Sequence, residues 1–290
     1  MDDWPFPHHP RYAPTMTDYR LGLPAWRHNG WEGEYFDDVP DRLAHYASVF
    51  STVEGNTTFY ATPSSETIQN WRSQLSGLDF RACFKLPRSI THDRGTRRDL
   101  LRFLKVMDPI LEHAGPFLVQ FPDSVGTDNA DHIRRILMEL PADIGAALEV
   151  RHPDFFDHEA TFNRHFEDTG CFRTVMDTRP VFQHDGSDPT VAEARKRKPN
   201  LPVFTKAVNN GVLVRLVLHP NGHWNADYYT TWSEQVAEWI RSGTKVIMMI
   251  HCANNQYCPG MARRFHEHLQ KHAPEVGALD DWPVSQQSLF

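Results

Sequence analysis

No stretch of this chain is long and apolar enough to cross a bilayer, which takes about 18 consecutive apolar residues; runs such as "KVIMMI" (245–250) stop well short. A secretory leader is not expected either. The start, "MDDWPFPHHPRYAPTMTDYR", carries acidic residues and prolines where a leader needs a basic patch and then an apolar segment. The expectation is a soluble, cytoplasmic protein with no membrane partner. Cysteine is scarce, and Cys83, Cys171, Cys252 and Cys258 form neither a CxxC pair nor a zinc-finger spacing, so they read as reduced thiols. Positive charge is in deficit too. A formal net charge of -7 excludes a protein that coats nucleic acid over its whole surface and leaves open only a local basic cleft. The GxSxG elbow and the GxGxxG and GxxxxGK[ST] phosphate loops are absent.

What the chain does have is alternation. Eight strand-like runs occur at 20–26, 51–56, 80–87, 116–122, 144–150, 172–178, 212–219 and 245–251. Helical patterns lie between and after them, at 40–49, 64–75, 97–113, 128–140, 158–168, 189–198, 228–241 and 257–272. Ser64 and Asp128 stand where an N-cap oxygen is wanted. Eight strands alternating with eight helices predict an α/β fold, a single-domain TIM (β/α)8 barrel, and the continuous apolar character of "KVIMMI" suits parallel strands buried on both faces. Residues 1–19 read as an N-terminal extension, 20–272 as the barrel and 273–290 as a tail without lasting periodicity, mobile unless docked. The link over 179–211 is longer than a simple crossover needs and predicts a lid or an added helix.

In such a barrel the carboxyl ends of the strands carry the active face. Glu54 and Asn56 end the second strand, Lys85 and Arg88 the third with His92 just beyond, and Gln120 the fourth. Glu149, Arg151 and His152 end the fifth, Asp177 the sixth, Arg215 and His219 the seventh, and His251, Asn254 and Asn255 the eighth. Buried Arg–Glu networks also fix strand register in barrels, so any one of these residues has an ordinary structural reading. As a set, Lys85, Arg88, Arg151 and Arg215 can clamp a carboxylate or phosphate, while Glu54, Glu149, His152 and Asp177 supply acid–base groups. Phe59 and Tyr60 add flat walls, so the expected partner is a small anionic or nucleotide-like ligand, with nucleic acid left open. Glu54, His92, Glu149, His152, His219 and His251 are the ligand types of a divalent metal, but no HxxxH or HExxH spacing joins them, and no cofactor is required. The basic run "ARKRKP" (194–199) could touch a phosphate backbone, but so short a charge run is more often a solvated helix face and by itself decides nothing.

The blocks "VEGNTTFYATPSSETIQNW", "FKLPRSITHD", "LVQFP", "LEVRHPDFF", "DTRP" and "RLVLH", in that order, resemble the YecE-like family, domain of unknown function 72. The resemblance spans about residues 20–272 and implies a TIM barrel with little settled biochemistry. The family pattern marks Glu54, Asn56, Thr58, Phe59, Tyr60, Lys85, Pro87, His92, Gln120, Glu149, Arg151, His152, Asp177, Arg215 and His219. Kinship at fold level with endonuclease IV-type barrels makes phosphodiester hydrolysis one expectation. A sugar or sugar-phosphate isomerase is a second, and a non-catalytic ligand-binding or clamp-associated module a third. The last five residues, "QQSLF", resemble the bacterial sliding-clamp-binding motif, in which Gln286, Leu289 and Phe290 would fill pockets on the DNA polymerase clamp.

Overall fold

A computed structural model describes residues 18–284. The expected strands are all there, most of them shorter, with β7 shifted by one residue and β8 longer by one: β1 Tyr19–Leu23, β2 Thr52–Gly55, β3 Arg81–Phe84, β4 Phe117–Gln120, β5 Ala146–Glu149, β6 Phe172–Asp177, β7 Gly211–Leu218 and β8 Lys245–Cys252. All pair in parallel, in the order β3-β2-β1-β8-β7-β6-β5-β4. The cylinder closes between β3 and β4, where bridges join Ala82 to Ala114 and Lys85 to Leu118. The chain is thus a TIM-like α/β barrel. Helices Ser65–Leu75, Arg97–Met107, Ala130–Met138, Glu159–Phe166, Ala226–Arg241 and Cys258–Gln270 cover its outside.

Two apolar layers result from the two faces of each strand. The outward faces and the helices form the main core, whereas Cys83, Ala147, Leu213, Ile247 and Met249, with Phe172 against them, plug the barrel. All four cysteines are free and buried. No helix among the described residues is long and apolar enough to cross a membrane.

Local signals were partly right. Ser64 caps its helix by accepting from the Thr67 amide at 3.1 Å. Asp128 does not cap: it lies inside a 3-10 turn, Thr127–Asn129, that tightens the helix entry, and the N-cap of Ala130–Met138 is Asn129. The pattern over 97–113 is two elements, because Pro109 cannot donate to an α-helix, and Asp108–His113 winds as a 3-10 turn. Short helical turns Thr57–Tyr60, Arg88–Thr91 and Arg179–Phe182, unforeseen, follow β2, β3 and β6. The β6–β7 link adds a helix, Pro189–Arg197, and then an irregular strap over residues 198–207. Thr178 Oγ1 donates to the Pro199 carbonyl at 2.8 Å and ties that strap to the end of β6.

The stretch after 272 docks as far as it is described. Trp282 packs against Tyr35, Phe36 and Phe50, and the Arg263 guanidinium lies 4.1 Å from its ring centre. Gln286, Leu289 and Phe290 lie outside the described residues.

Candidate functional site

Strand parity builds the site. Cys83, Ala147, Leu213 and Met249 face inward as the plug, so Lys85, Glu149, Arg215 and His251, each two residues further on, face inward one layer closer to the mouth. Arg215 reaches across the lumen to both sides. Its Nε and Nη2 donate to Glu54 Oε2 and Oε1 at 2.8 and 2.7 Å, and its Nη1 donates to Glu149 Oε2 at 2.5 Å. Asn56 Nδ2 donates to Glu54 Oε1 at 2.7 Å, and His251 Nε2 lies 3.1 Å from Oε2, so every oxygen of Glu54 is doubly engaged. Arg151 Nε donates to Glu149 Oε1 at 2.7 Å.

A second chain of contacts runs alongside. Lys85 Nζ donates to Gln120 Oε1 at 2.6 Å and sits 4.1 Å from the centre of the Phe59 ring. Gln120 Nε2 approaches His92 Nε2 at 3.4 Å, and the His92 ring meets Phe59 edge to face. This geometry brings together Glu54, Asn56, Phe59, Lys85, His92, Gln120, Glu149, Arg151 and Arg215.

Charge balance sets the proton affinities. Burial alone would raise the Glu54 carboxyl, but Arg215, His251 and Lys85 override it and hold it well below the usual carboxylate range. Glu149 is likewise pulled against its burial, by Arg215, Arg151 and Lys85, to about 2. Burial and then the Arg215 charge push Lys85 down to about 8, although both carboxylates oppose this. His92 falls to about 4 through burial and the neighbouring Lys85, and His251 to about 4 through burial despite Glu54. Both imidazoles are therefore neutral at pH 7.

Other expected residues are placed elsewhere. Asp177 is a correction: on β6 the inward residues include Phe172, so Asp177, five positions on, takes the opposite face. There it accepts from Trp232 Nε1 at 2.8 Å and from Arg179 Nε and Nη2 at 2.9 and 2.7 Å, locking the outer helix layer. His219 accepts from the Asn221 amide through Nδ1, leaving Nε2 to donate to the Asp185 carbonyl at 2.9 Å. His152 accepts from the Asp154 amide at 3.3 Å and starts a 3-10 turn. Arg88 is exposed beside Asp93, and Tyr60 is 81% exposed. Asn254 accepts from the Gln256 amide at 3.1 Å, and Asn255, at φ +62°, offers its carbonyl to Trp31 Nε1 at 2.9 Å. Together they form the turn after β8, a left-handed position that asparagine tolerates.

One cation was misread. Lys198, in the run "ARKRKP", ends the Pro189–Arg197 helix in an extended conformation and lies close enough to the mouth to interact with the charges of Arg215, Glu54, Arg151 and Glu149. Burial, then the Arg215 and Arg151 charges, lower it to about 8, with Glu54 and Glu149 acting the other way. The X-Pro step at 198–199, which forbids helix at Lys198, was the signal that could have found it.

A divalent metal does not fit this arrangement. Glu54 and His251 are adjacent, but Glu54 is already saturated by Arg215, and no group of three or more His, Cys, Asp or Glu side chains is placed to share an ion among the described residues.

Comparison with known proteins agrees with the motif resemblance. The model of the family described as "Protein of unknown function DUF72" matches residues 20–287. The UPF0759 protein YecE of Escherichia coli K12 is 32% identical over 276 residues, covering 93% of this chain and 99% of the relative, and its counterpart in the O157:H7 strain matches equally. A crystal structure of a DUF72 family protein from Thermotoga maritima MSB8 superposes with a TM-score of 0.66 at 21% identity, over 87% of this chain and 99% of that one. One from Enterococcus faecalis V583 gives 0.63 at 21% identity, over 89% and 98%. At that identity the solved structures speak to the fold alone.

Proposed function

The chain belongs to the DUF72 family, and on that footing we propose that its barrel mouth binds a small anion, a phosphate- or carboxylate-bearing ligand. The observation that carries this is surplus positive charge. Glu54 and Glu149 already satisfy Arg215 and Arg151, and Lys85 and Lys198 remain, both held down to about 8. Burial first, and then the Arg215 charge, disfavour both ammonium forms more than the two carboxylates favour them, so an added anion stabilises both. An anionic group between them supplies it through charge-assisted hydrogen bonds. A network that served only to fix strand register would need the two arginines and two glutamates and neither lysine.

The same arrangement bears on chemistry. Glu54 and Glu149 are too acidic, and too fully hydrogen-bonded, to exchange protons near pH 7; they hold the guanidiniums in place. The groups poised for acid–base work are Lys85 and Lys198. Proton transfer beside a carbonyl, as in a sugar-phosphate isomerase, suits such lysines better than metal-assisted phosphodiester hydrolysis, for which no donor set is placed among the described residues.

Calorimetric titration with inorganic phosphate tests the reading. Lys85→Met and Lys198→Met are each expected to weaken binding by about tenfold, which corresponds to ~1.4 kcal/mol. Undiminished affinity in both variants, or no binding by the parent protein, removes the proposal.

A further inference from the structure

β5 and β6 separate before they reach the mouth. Their ladder holds only Ala147↔Phe172 and Leu148↔Arg173. β6 nevertheless continues, paired with β7, to Asp177↔Leu216. Past that point Glu149 and Arg151 on one side face Thr174 and Met176 on the other across a slot instead of a hydrogen-bonded pair.

The slot is roofed by the strap after Lys198, through Leu201 and Phe204. Counted out to its open side, with the adjoining solvent included, its empty space is ≈ 470 Å³. Its walls are flat and apolar, with the Phe156 and Phe204 rings 17° from parallel and 6.2 Å between centres. Two polar atoms on its lining have no partner. Arg173, only 5% exposed, leaves Nε unused, and Thr174 leaves Oγ1 unused. Arg173 and Thr174 take opposite faces of β6, and buried polar atoms are nearly always paired, so an orphan on each side of the parted strand points to a partner that comes from outside the chain. Glu149 and Arg151 line this slot and also belong to the charged hollow, so they are the border the two regions share.

We propose that the anion at the mouth is the head of a longer ligand whose aromatic ring enters the β5–β6 slot, the ligand class being an aromatic phosphate or carboxylate. The ring lies between the strands and the strap, and an acceptor on it meets the Arg173 Nε–H. This rests on the anion reading of the mouth and extends it. Head and ring are recognised by one connection, because Lys198 immediately precedes the residues that roof the slot.

The experiment compares methyl phosphate with phenyl phosphate by calorimetric titration, in the full chain and in two variants, Leu201→Trp to fill the slot and Phe204→Ala to remove a wall. Circular dichroism confirms that each variant is folded. Phenyl phosphate is expected to bind at least about tenfold more tightly than methyl phosphate to the parent protein, and the ratio is expected to fall toward one in both variants. Equal affinity for the two esters in the parent protein overturns the inference while leaving the anion site standing, as does a ratio that survives both substitutions. If neither ester binds, the anion reading fails and this inference fails with it.

Discussion

Arg215 shows how one side chain organises the mouth. It sits on β7 yet bonds to Glu54 on β2 and Glu149 on β5, so it spans the lumen and holds both carboxylates ionised. Breaking such a buried pair by removing one partner strands a charge and costs about 3–5 kcal/mol, which is why these three residues are poor candidates for testing ligand binding. Lys85 and Lys198 are better, and they carry a pH signature. A free lysine titrates near 10.5, whereas these two are lowered to about 8. Both are charged at pH 7, so an anion is held; as pH rises through about 8 they lose their protons and the anion is released. Sulfate, whose own charge is constant over this range, is expected to bind progressively less well above pH 8, by up to about tenfold per lysine per pH unit. Binding measured from pH 6 to 10.5 checks this; a decline that begins only near pH 10 would show the lysines to be ordinary.

At the scale of elements, alternating apolar runs and helical patterns made all eight strands legible, because a parallel strand buried on both faces needs an unbroken apolar run and leaves little ambiguity. Short turns were not legible. Thr57–Tyr60, Arg88–Thr91 and Arg179–Phe182 are four residues each, too brief for periodicity to register. The β1–β2 pairing depends on one small residue. A Cβ at Gly22 would collide with the Thr52 carbonyl, and that carbonyl also accepts from Tyr46 Oη at 2.9 Å and cannot move freely. Gly22→Ala is therefore expected to lose about 1–3 kcal/mol of stability, read as a lower urea midpoint with an unchanged slope. No change would show that the two strands can part at this point.

For the whole molecule, the C-terminal stretch is a separate question from the barrel. Residues up to 284 are anchored by Trp282, His266 and Gln270, the last two bonding the Gly277 carbonyl at 2.8 and 2.6 Å. The "QQSLF" segment beyond that anchor resembles the clamp-binding motif, and we propose it as a clamp contact. Capture on an immobilised bacterial sliding clamp is expected to vanish when residues 286–290 are deleted, and equal capture of both forms would end the clamp reading. The sequence by itself determined the barrel and most of its charged mouth, because two-residue alternation places Glu54, Lys85, Glu149 and Arg215 one step beyond the apolar plug. Tertiary structure decided the rest: that Asp177 points to the outer layer, that Lys198 lies close to the mouth, and that β5 and β6 part to leave a slot. Alternation along a strand is a local property written in neighbouring residues. Which face meets the lumen, and where a crossover returns over it, depends on how eight strands close into one cylinder.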